Sequence, residues 1–273
     1  AKEAKDLNIK IIPLSIKIDQ TSYKITDKFN LKTLWDRYEE TDISPLPQAP
    51  DEKVFEQTYL DLHAKGYKEI YSLHLSSALS DVYLNATKAA HKVAHKIKVK
   101  VVDAQTLGAG LRLLVEVVNK AITKNNSSEE IDLLIAKNVP LLYSIMTVAS
   151  LKYLVASKNK ADKLDTSRLN LLEKLVQFKP VLLVKNGDFE ILECCKERKK
   201  ALELMTNLIN TEIISKGGYI KKAFIYYDYL YTEAKELANN INTLYKDIDV
   251  VLQTGNPVVS AYIGTSSIGI SFL

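Results

Sequence analysis

Two adjacent serines, Ser76 and Ser77, follow the run EIYSLHL, which reads as a buried strand, and a helical pattern opens just after them at about Leu79. Hydroxyls and backbone N–H groups at a helix N-terminus suit a carboxylate or a phosphate. A serine after a strand is also where a hydrolase carries its nucleophile, but that elbow needs glycine two residues to either side. Around Ser77 those positions hold Leu75 and Leu79, and spacing supplies no acid–base partner. A serine-dependent acyl hydrolase or transferase using Ser77 or Ser80 is therefore the rival reading. His74, inside the strand, reads as a hydrogen-bonded, half-buried core residue. His91 and His95 stand at i, i+4, a spacing that binds zinc on one helix face. No Glu follows His91, and Lys92, Lys96 and Lys98 would repel a cation. Cys194 and Cys195 are neighbours, a geometry that strains a bridge, and no Cys/His metal spacing accompanies them. They read as one buried and one exposed free thiol in the reducing cytoplasm. There is no P-loop lysine motif and no G-x-G-x-x-G, so neither metal nor cofactor is expected.

The elements that must position these residues alternate over the first half. A strand composition over Asn8–Lys17 is interrupted by Pro13, which points to an edge or an irregularity. A short helix follows over Leu31–Tyr38. Pro45, Pro47 and Pro50 mark an extended loop, and Asp51 caps a helix that stops at Gly66. Strand Glu69–Leu75, helix Leu79–His95, strand Val99–Val102 and helix Leu107–Thr123 come next. A capped helix from Ser127 ends near Pro140. Such alternation implies a parallel α/β sheet, whose ligands gather at the carboxyl ends of the strands. Those ends carry Ser76, Ser77 and the run Asp103 to Thr106. Beyond Pro140 hairpins and helices mix. Strand Ser144–Val148 leads into a helical stretch to Lys158, and Asn186-Gly187 joins two strands as a hairpin. A helix over Glu197–Ile214, strand Ile220–Tyr226, helix Thr232–Asn242 and strand Ile248–Gln253 follow. Two β-rich pieces, Pro257–Tyr262 and Ser266–Phe272, end the chain. The expectation is an α/β protein: an N-terminal parallel-sheet α/β domain over 1–140 and a C-terminal α+β domain over 141–273.

Composition limits the function classes. The chain has 273 residues, is 47% hydrophobic and 26% charged, and carries a net charge of +4. That excludes a disordered tail, a fibre and a disulfide scaffold. Its 9 glycines are about half the usual ~7% share, which argues against Gly-rich phosphate loops. Among 37 basic residues only 4 are arginine, the residue suited to bidentate phosphate and guanine contacts, so no nucleic-acid partner is expected. The densest basic stretch, Lys88–Lys100, reads as a solvated helix face. Its functional reading is a docking face for an acidic partner or transient contact with an anionic membrane surface. The strongest apolar stretch without charge, Val139–Leu151, falls short of the ~18 residues of a membrane span, and the uncharged run from Val250 carries too many Ser, Thr, Gly and Asn to be one.

Seven segments in order then resemble one family. Leu73–Tyr83 (LHLSSALSDVY) resembles the SSxLSGTY signature of the DegV family, bacterial fatty-acid-binding proteins that include the binding subunits of fatty acid kinase. Lys10–Ile16 (KIIPLSI) is similar to its KVVPLSV strand, and Leu46–Pro50 (LPQAP) takes the place of its TSQPS loop. Val101–Gly110 (VVDAQTLGAG) is similar to VIDSxxxSxGxG, Val148–Asn159 (VASLKYLVASKN) to VDTLEYLxKGGR, Phe178–Leu182 (FKPVL) to lKPIL, and Pro257–Gly264 (PVVSAYIG) to PVIGxHTG. The family's first strand would precede Ala1, so the chain is expected to start mid-fold.

The resemblance implies a non-catalytic protein that holds one long-chain fatty acid in a tunnel between two domains, with an ATP-dependent fatty acid kinase as partner. It assigns the head group to Ser77, with Ser76 and Ser80 in support, and leaves Gln48 and Tyr262 as further donors. Leu46, Pro47, Ala104, Ala109 and Ile263 would line the tunnel or its loops. Several positions depart from the family pattern. Leu46 or Pro47 stands at the family's threonine, Tyr262 at its histidine, Asp81 at the glycine of SGTY, and Ser157-Lys158-Asn159 at GGR. A buried carboxylate without donors costs several kcal/mol or more. The head group is thus open to a lipid other than a simple carboxylate, and a DegV-like scaffold with a degenerate site stays as an alternative.

Overall fold

The computed structural model describes residues 2–26, 29–41, 43–148, 150–151, 153–154, 178–215 and 220–273. After a short helix α1 (Lys2–Asp6), strands β1 (Ser15–Ile18) and β2 (Thr21–Lys24) form a hairpin, and helix α2 (Leu31–Thr41) follows. The strand expected over Asn8–Lys17 begins only at Ser15, because Pro13 has no N–H for a ladder. The proline loop contributes a third strand, β3 (Leu46–Gln48), antiparallel to β1 with Pro47 opposite Ile16. Edge strands tolerate proline in this way.

Helix α3 (Glu52–Ala64) starts at Asp51, whose carboxylate accepts from the Lys53 N–H. Strand β4 (Glu69–His74), helix α4 (Val82–Val93) and strand β5 (Lys98–Asp103) form one parallel crossover. The apolar stripe Val82, Ala86, Ala89, Ala90 and Val93 buries α4 against this layer. The register sets His74 opposite Asp103, so the residues after both strands emerge side by side. The expected parallel sheet therefore comprises two strands among the described residues, and β1, β2 and β3 form a separate antiparallel sheet. Helix α5 (Ala109–Thr123) and helix α6 (Ser128–Asn138) follow, the latter opened by a capping box between Ser127 and Glu130.

The described residues of the second half are built on a six-stranded mixed sheet. Its strands are β6 (Tyr143–Thr147), β7 (Lys179–Lys185), β8 (Asp188–Cys195), β9 (Lys222–Tyr227), β10 (Asp249–Thr254) and β11 (Ile268–Phe272), in the order β10-β9-β11-β6-β7-β8. Helices α7 (Arg198–Ser215) and α8 (Tyr231–Leu244) cover one face. Successive residues point to opposite faces of a strand, and the sequence divides accordingly. Ile145, Val181 and Ile225 pack under α7 and α8, while Met146, Leu182 and Tyr226 face the first half of the chain. Asn186 and Gly187, at φ 50° and 86°, make the two-residue hairpin turn expected of that dipeptide.

One expectation is corrected at the C-terminus. Pro257–Tyr262 is not β-rich but lies in helix α9 (Pro257–Ile263). Asn256 caps it by accepting from the Val258 N–H, proline sits in the first turn, and Gly264 ends it at φ 78°. Burial of Val259 through Ile263 overrides the strand preference of Val258 and Val259. The helical stretch read over residues 148–158 falls mostly outside the described residues, as do Ser157, Lys158 and Asn159. Among the described residues no helix is long and apolar enough to cross a membrane.

Candidate functional site

The parallel register brings the Ser76–Ser77 turn onto Asp103 and Thr106. Ser76 N–H donates to the Thr106 carbonyl (2.8 Å), and Ala104 N–H donates to the His74 carbonyl (3.0 Å). The Ser77 hydroxyl donates to Asp103 Oδ2 at 2.5 Å, and the Ser77 N–H reaches Oδ1 at 3.3 Å. Gln105 N–H also donates to Oδ1 (2.9 Å). Ser76 is buried; its hydroxyl donates to the Gly187 carbonyl at 2.5 Å and accepts from Ala78 N–H at 3.1 Å. The amides of Leu79 and Ser80 donate to the Ser76 carbonyl. The N–H groups expected to be free for an anion are thus engaged inside the turn from Ser76 to Ser80. Asp81 stands at the N-cap of α4, so an acidic residue occupies the place where the helix would favour an anion.

Tyr262 reaches the same turn from the other half. It is 3% exposed, and its hydroxyl donates to the Leu79 carbonyl at 3.1 Å. Burial pushes its pKa up to about 12, with the Ser80 hydroxyl bonding to it and opposing that shift. Leu75, Leu79, Tyr262 and Ile263 join Met146, Leu182, Val184 and Phe189 in one apolar cluster that spans both halves. Ala104 and Ala109 are buried in two other clusters beside α5, Ala104 with Leu114 and Ala109 with Leu113 and Phe224. Leu46 and Pro47 are half-buried on β3, which packs against α9. Gln48 lies on the same strand, where its side-chain carbonyl accepts from the Ser22 hydroxyl (2.7 Å).

Polar links hold the two halves around this seam. Besides Ser76 with Gly187 and Tyr262 with Leu79, the Ser144 hydroxyl bonds Thr106 (3.3 Å) and Ser271 (2.7 Å). Arg112 donates to Gln253 (2.9 Å), and Lys222 pairs with Glu116 (2.8 Å). A Cβ on Gly187 would lie 2.5 Å from Ser76 Oγ, at a backbone angle that alanine adopts only with strain. Gly187→Ala is expected to lower stability by more than about 2 kcal/mol in urea unfolding. Ser76→Gly in the same chain should recover part of that loss by removing the clash; full additivity of the two changes would count against this contact.

His74 is buried as expected, and its pKa falls to about 4 because burial disfavours the cation, against the opposing pull of Asp103. Its Nε2 bonds Ser72 Oγ (2.8 Å), which bonds Tyr59 (2.8 Å), and Phe55 packs edge-on against the ring. His91 and His95 do not share a helix, because α4 ends at Val93. Among the described residues no His/Cys/Asp/Glu cluster could hold a metal ion. Three of the five lysines in the basic stretch are paired within the fold: Lys92 with Glu52, Lys98 with Glu69 (2.9 Å), and Lys100 with Asp132. That removes much of the charge a membrane surface or acidic partner would read. Cys194 and Cys195 are free thiols, and burial raises both pKa values, which keeps them unreactive.

Three contacts at this seam escape local sequence reading. They are the Gly187 carbonyl on Ser76, the Leu79 carbonyl on Tyr262, and a second polar pair beneath α9. In the last, Asp228 Oδ2 accepts from Ser260 Oγ at 2.7 Å, while its buried Oδ1 has no hydrogen-bond partner among the described residues. Asn186-Gly187 signals a turn, but nothing in that dipeptide says what the turn touches.

Comparison with known proteins identifies the family. The whole chain, residues 1–273, matches the family described as uncharacterised DegV-family proteins. It is 24% identical over 271 residues to a DegV domain-containing protein of Halalkalibacterium halodurans, covering 99% of this chain and 93% of that one. The fold superposes at a TM-score of 0.85 on a fatty acid binding DegV family protein of Streptococcus agalactiae. That pair is 17% identical and covers 97% of this chain and 90% of the other. It superposes at 0.82 on the fatty acid kinase (Fak) B3 protein of Streptococcus pneumoniae loaded with linoleic acid, at 17% identity over 95% of this chain and 89% of that one. With the family match running from end to end, and the serine-pair turn and C-terminal helix meeting across one seam, the chain belongs to the DegV family.

Proposed function

We propose that this protein binds one long acyl lipid between its two halves, taken as domains 1–140 and 141–273, with the lipid head at the Ser76–Ser77 turn. The observation that carries the reading is the continuous apolar cluster running from Leu75 and Leu79 across the seam to Met146, Leu182, Tyr262 and Ile263, directly beside paired hydroxyls. Burial of an acyl chain contributes about 0.8 kcal/mol per CH₂, enough for tight binding without catalysis. The solved relatives that bind fatty acids support the same reading by likeness. The protein acts as a carrier rather than an enzyme. Acyl hydrolysis would need an imidazole on the serine hydroxyl, whereas Ser77 is paired with a carboxylate and His74 with Ser72. Presentation of the lipid to a partner kinase rests on the likeness to the Fak B3 protein alone. Two free, unreactive thiols fit a cytoplasmic setting.

Native mass spectrometry of the purified protein should find one acyl lipid per chain. Ser77→Ala should weaken binding of an added acyl lipid roughly tenfold, and a fluorophosphonate probe should leave Ser77 unlabelled. A ligand-free protein whose melting temperature ignores oleate, oleyl alcohol and monooleoylglycerol would overturn the proposal. Labelling at Ser77 would favour the hydrolase instead.

A further inference from the structure

Helix α9 bridges the two halves, flanked by Gly255 and Gly264. Toward the first half, its Tyr262 hydroxyl donates to the Leu79 carbonyl, and Ala261 packs with Ile16, Ile18 and Trp35. Toward the second half, its polar hold is the buried Ser260, whose hydroxyl lies 2.7 Å from Asp228 Oδ2 and 3.1 Å from the Asn256 carbonyl. Asp228 follows β9 and is half-buried. Its Oδ1 is buried against Gly255, where any Cβ would collide with it, and finds no hydrogen-bond donor. Tyr226, whose hydroxyl bonds Ser267, is the titratable group facing Asp228 among the described residues, and no charged side chain moves the titration of Asp228.

A hydroxyl has one proton to give. With Asp228 ionised, Ser260 serves either Oδ2 or the Asn256 carbonyl, and the carboxylate keeps at most one donor beside a buried Oδ1 that has none. With Asp228 protonated on Oδ2, the acid donates to Ser260 Oγ and Ser260 donates to Asn256, so both short contacts are hydrogen bonds at once. Oδ1 is then a neutral carbonyl oxygen, which costs less to bury than a carboxylate. Burial pushing this carboxyl up to about 6 agrees with that arrangement.

We infer that Asp228 and Ser260 form a proton-operated latch on α9: the protonated pair holds the helix against the sheet, and ionisation frees it to swing out and release the lipid. The release step rests on the acyl-lipid reading above, whereas the opening of α9 needs no lipid. Swinging out hydrates Asp228 and returns it to the ordinary carboxylate range, so the closed form holds a proton that the open form has lost. Opening is therefore suppressed as the pH falls through about 6 and is unhindered above it.

The test is hydrogen exchange of the α9 amides in the full chain between about pH 5 and about pH 8, corrected for the intrinsic rate, with release of bound oleate followed alongside. Wild-type protection should be roughly tenfold higher at the acid end, and oleate should leave roughly tenfold more slowly there. Asp228→Asn, whose amide donates to Ser260 Oγ at every pH, should keep protection high and flat. Titration of oleate and of His74 is common to both proteins, so the difference in slope isolates Asp228. Should that variant fold poorly, Ser260→Ala should bring protection at the acid end down to the wild-type value at the alkaline end. Protection that does not change with pH in wild type, or changes equally in Asp228→Asn, overturns the inference. Oleate release that stays constant while α9 opens overturns it too. Failure to bind oleate or any other acyl lipid overturns the acyl-lipid reading, while hydrogen exchange still decides whether the latch operates.

Discussion

Tyr262→Ala should destabilise the protein by about 3–5 kcal/mol, the range for removing a buried aromatic ring. Tyr262→Phe should cost only about 1–2 kcal/mol. The ring is 3% exposed and packs in the cluster shared by both halves, so alanine leaves a void in that cluster. Phenylalanine keeps the ring and removes the hydroxyl that donates to the Leu79 carbonyl and bonds Ser80, so both lose that partner. Equilibrium urea unfolding of the three proteins checks both numbers. An alanine variant within about 1 kcal/mol of wild type would mean that α9 does not hold the seam closed. The same pair separates packing from ligand chemistry. The alanine variant should accept a bulkier acyl chain through the void, whereas the phenylalanine variant should bind as wild type does, because the Tyr262 proton faces Leu79.

The second large effect is a pH dependence that the wild-type protein conceals. Burial pushes Asp228 up from 3.8 to about 6, against the opposing hydrogen bond from Ser260. Between those values the folded state holds a proton that the unfolded state has released. Stability from this group is therefore complete below about 3.8 and is lost as the pH rises through about 6, roughly 2–3 kcal/mol in all. His74 runs the other way. Burial lowers it from 6.5 to about 4, so the unfolded state takes up a proton that the folded state refuses. Its contribution is complete above 6.5 and is lost as the pH falls through about 4, by roughly 3 kcal/mol. The two limbs nearly cancel between about pH 4 and pH 6.5. Asp228→Asn should expose the His74 limb, with stability climbing as pH rises across that window. His74→Gln should expose the opposite slope. Slopes, rather than absolute stabilities, carry the prediction, because each amide adds its own constant cost. Denaturation midpoints across that range check it. Parallel curves for wild type and Asp228→Asn would show that Asp228 titrates normally.

Much of the local structure was legible in the residues. Asp51 and Ser127 announced two helix starts, Gly66 a stop, and Asn186-Gly187 a hairpin, because each acts through its own backbone angles or its own side chain on the nearest amides. Pro257–Tyr262 was misread for a related reason. Val258 and Val259 prefer strands, but burial of five consecutive residues against two layers outweighed that preference. The helix read to His95 ends at Val93, between His91 and His95, a boundary that pattern alone locates poorly. Ala104 and Ala109 pack in clusters of their own beside α5, a placement that small residues do not announce, because they fit a lined tunnel and a close-packed helix contact equally well.

The amino-acid sequence by itself determined the α/β alternation, the family, and the position of a serine pair at the end of a strand. Those follow from short-range periodicity and from residues read in order. Only the tertiary structure decided what the serines can do. Ser77 meets Asp103 through the register of two parallel strands, and Ser76 meets the Gly187 carbonyl across 111 residues of chain. Tyr262 meets Leu79 across 183. Hydrogen-bond partners at such separations are chosen by how layers pack, and a hydroxyl has one proton to give. The fold therefore determines which groups the hydroxyls at this turn bond.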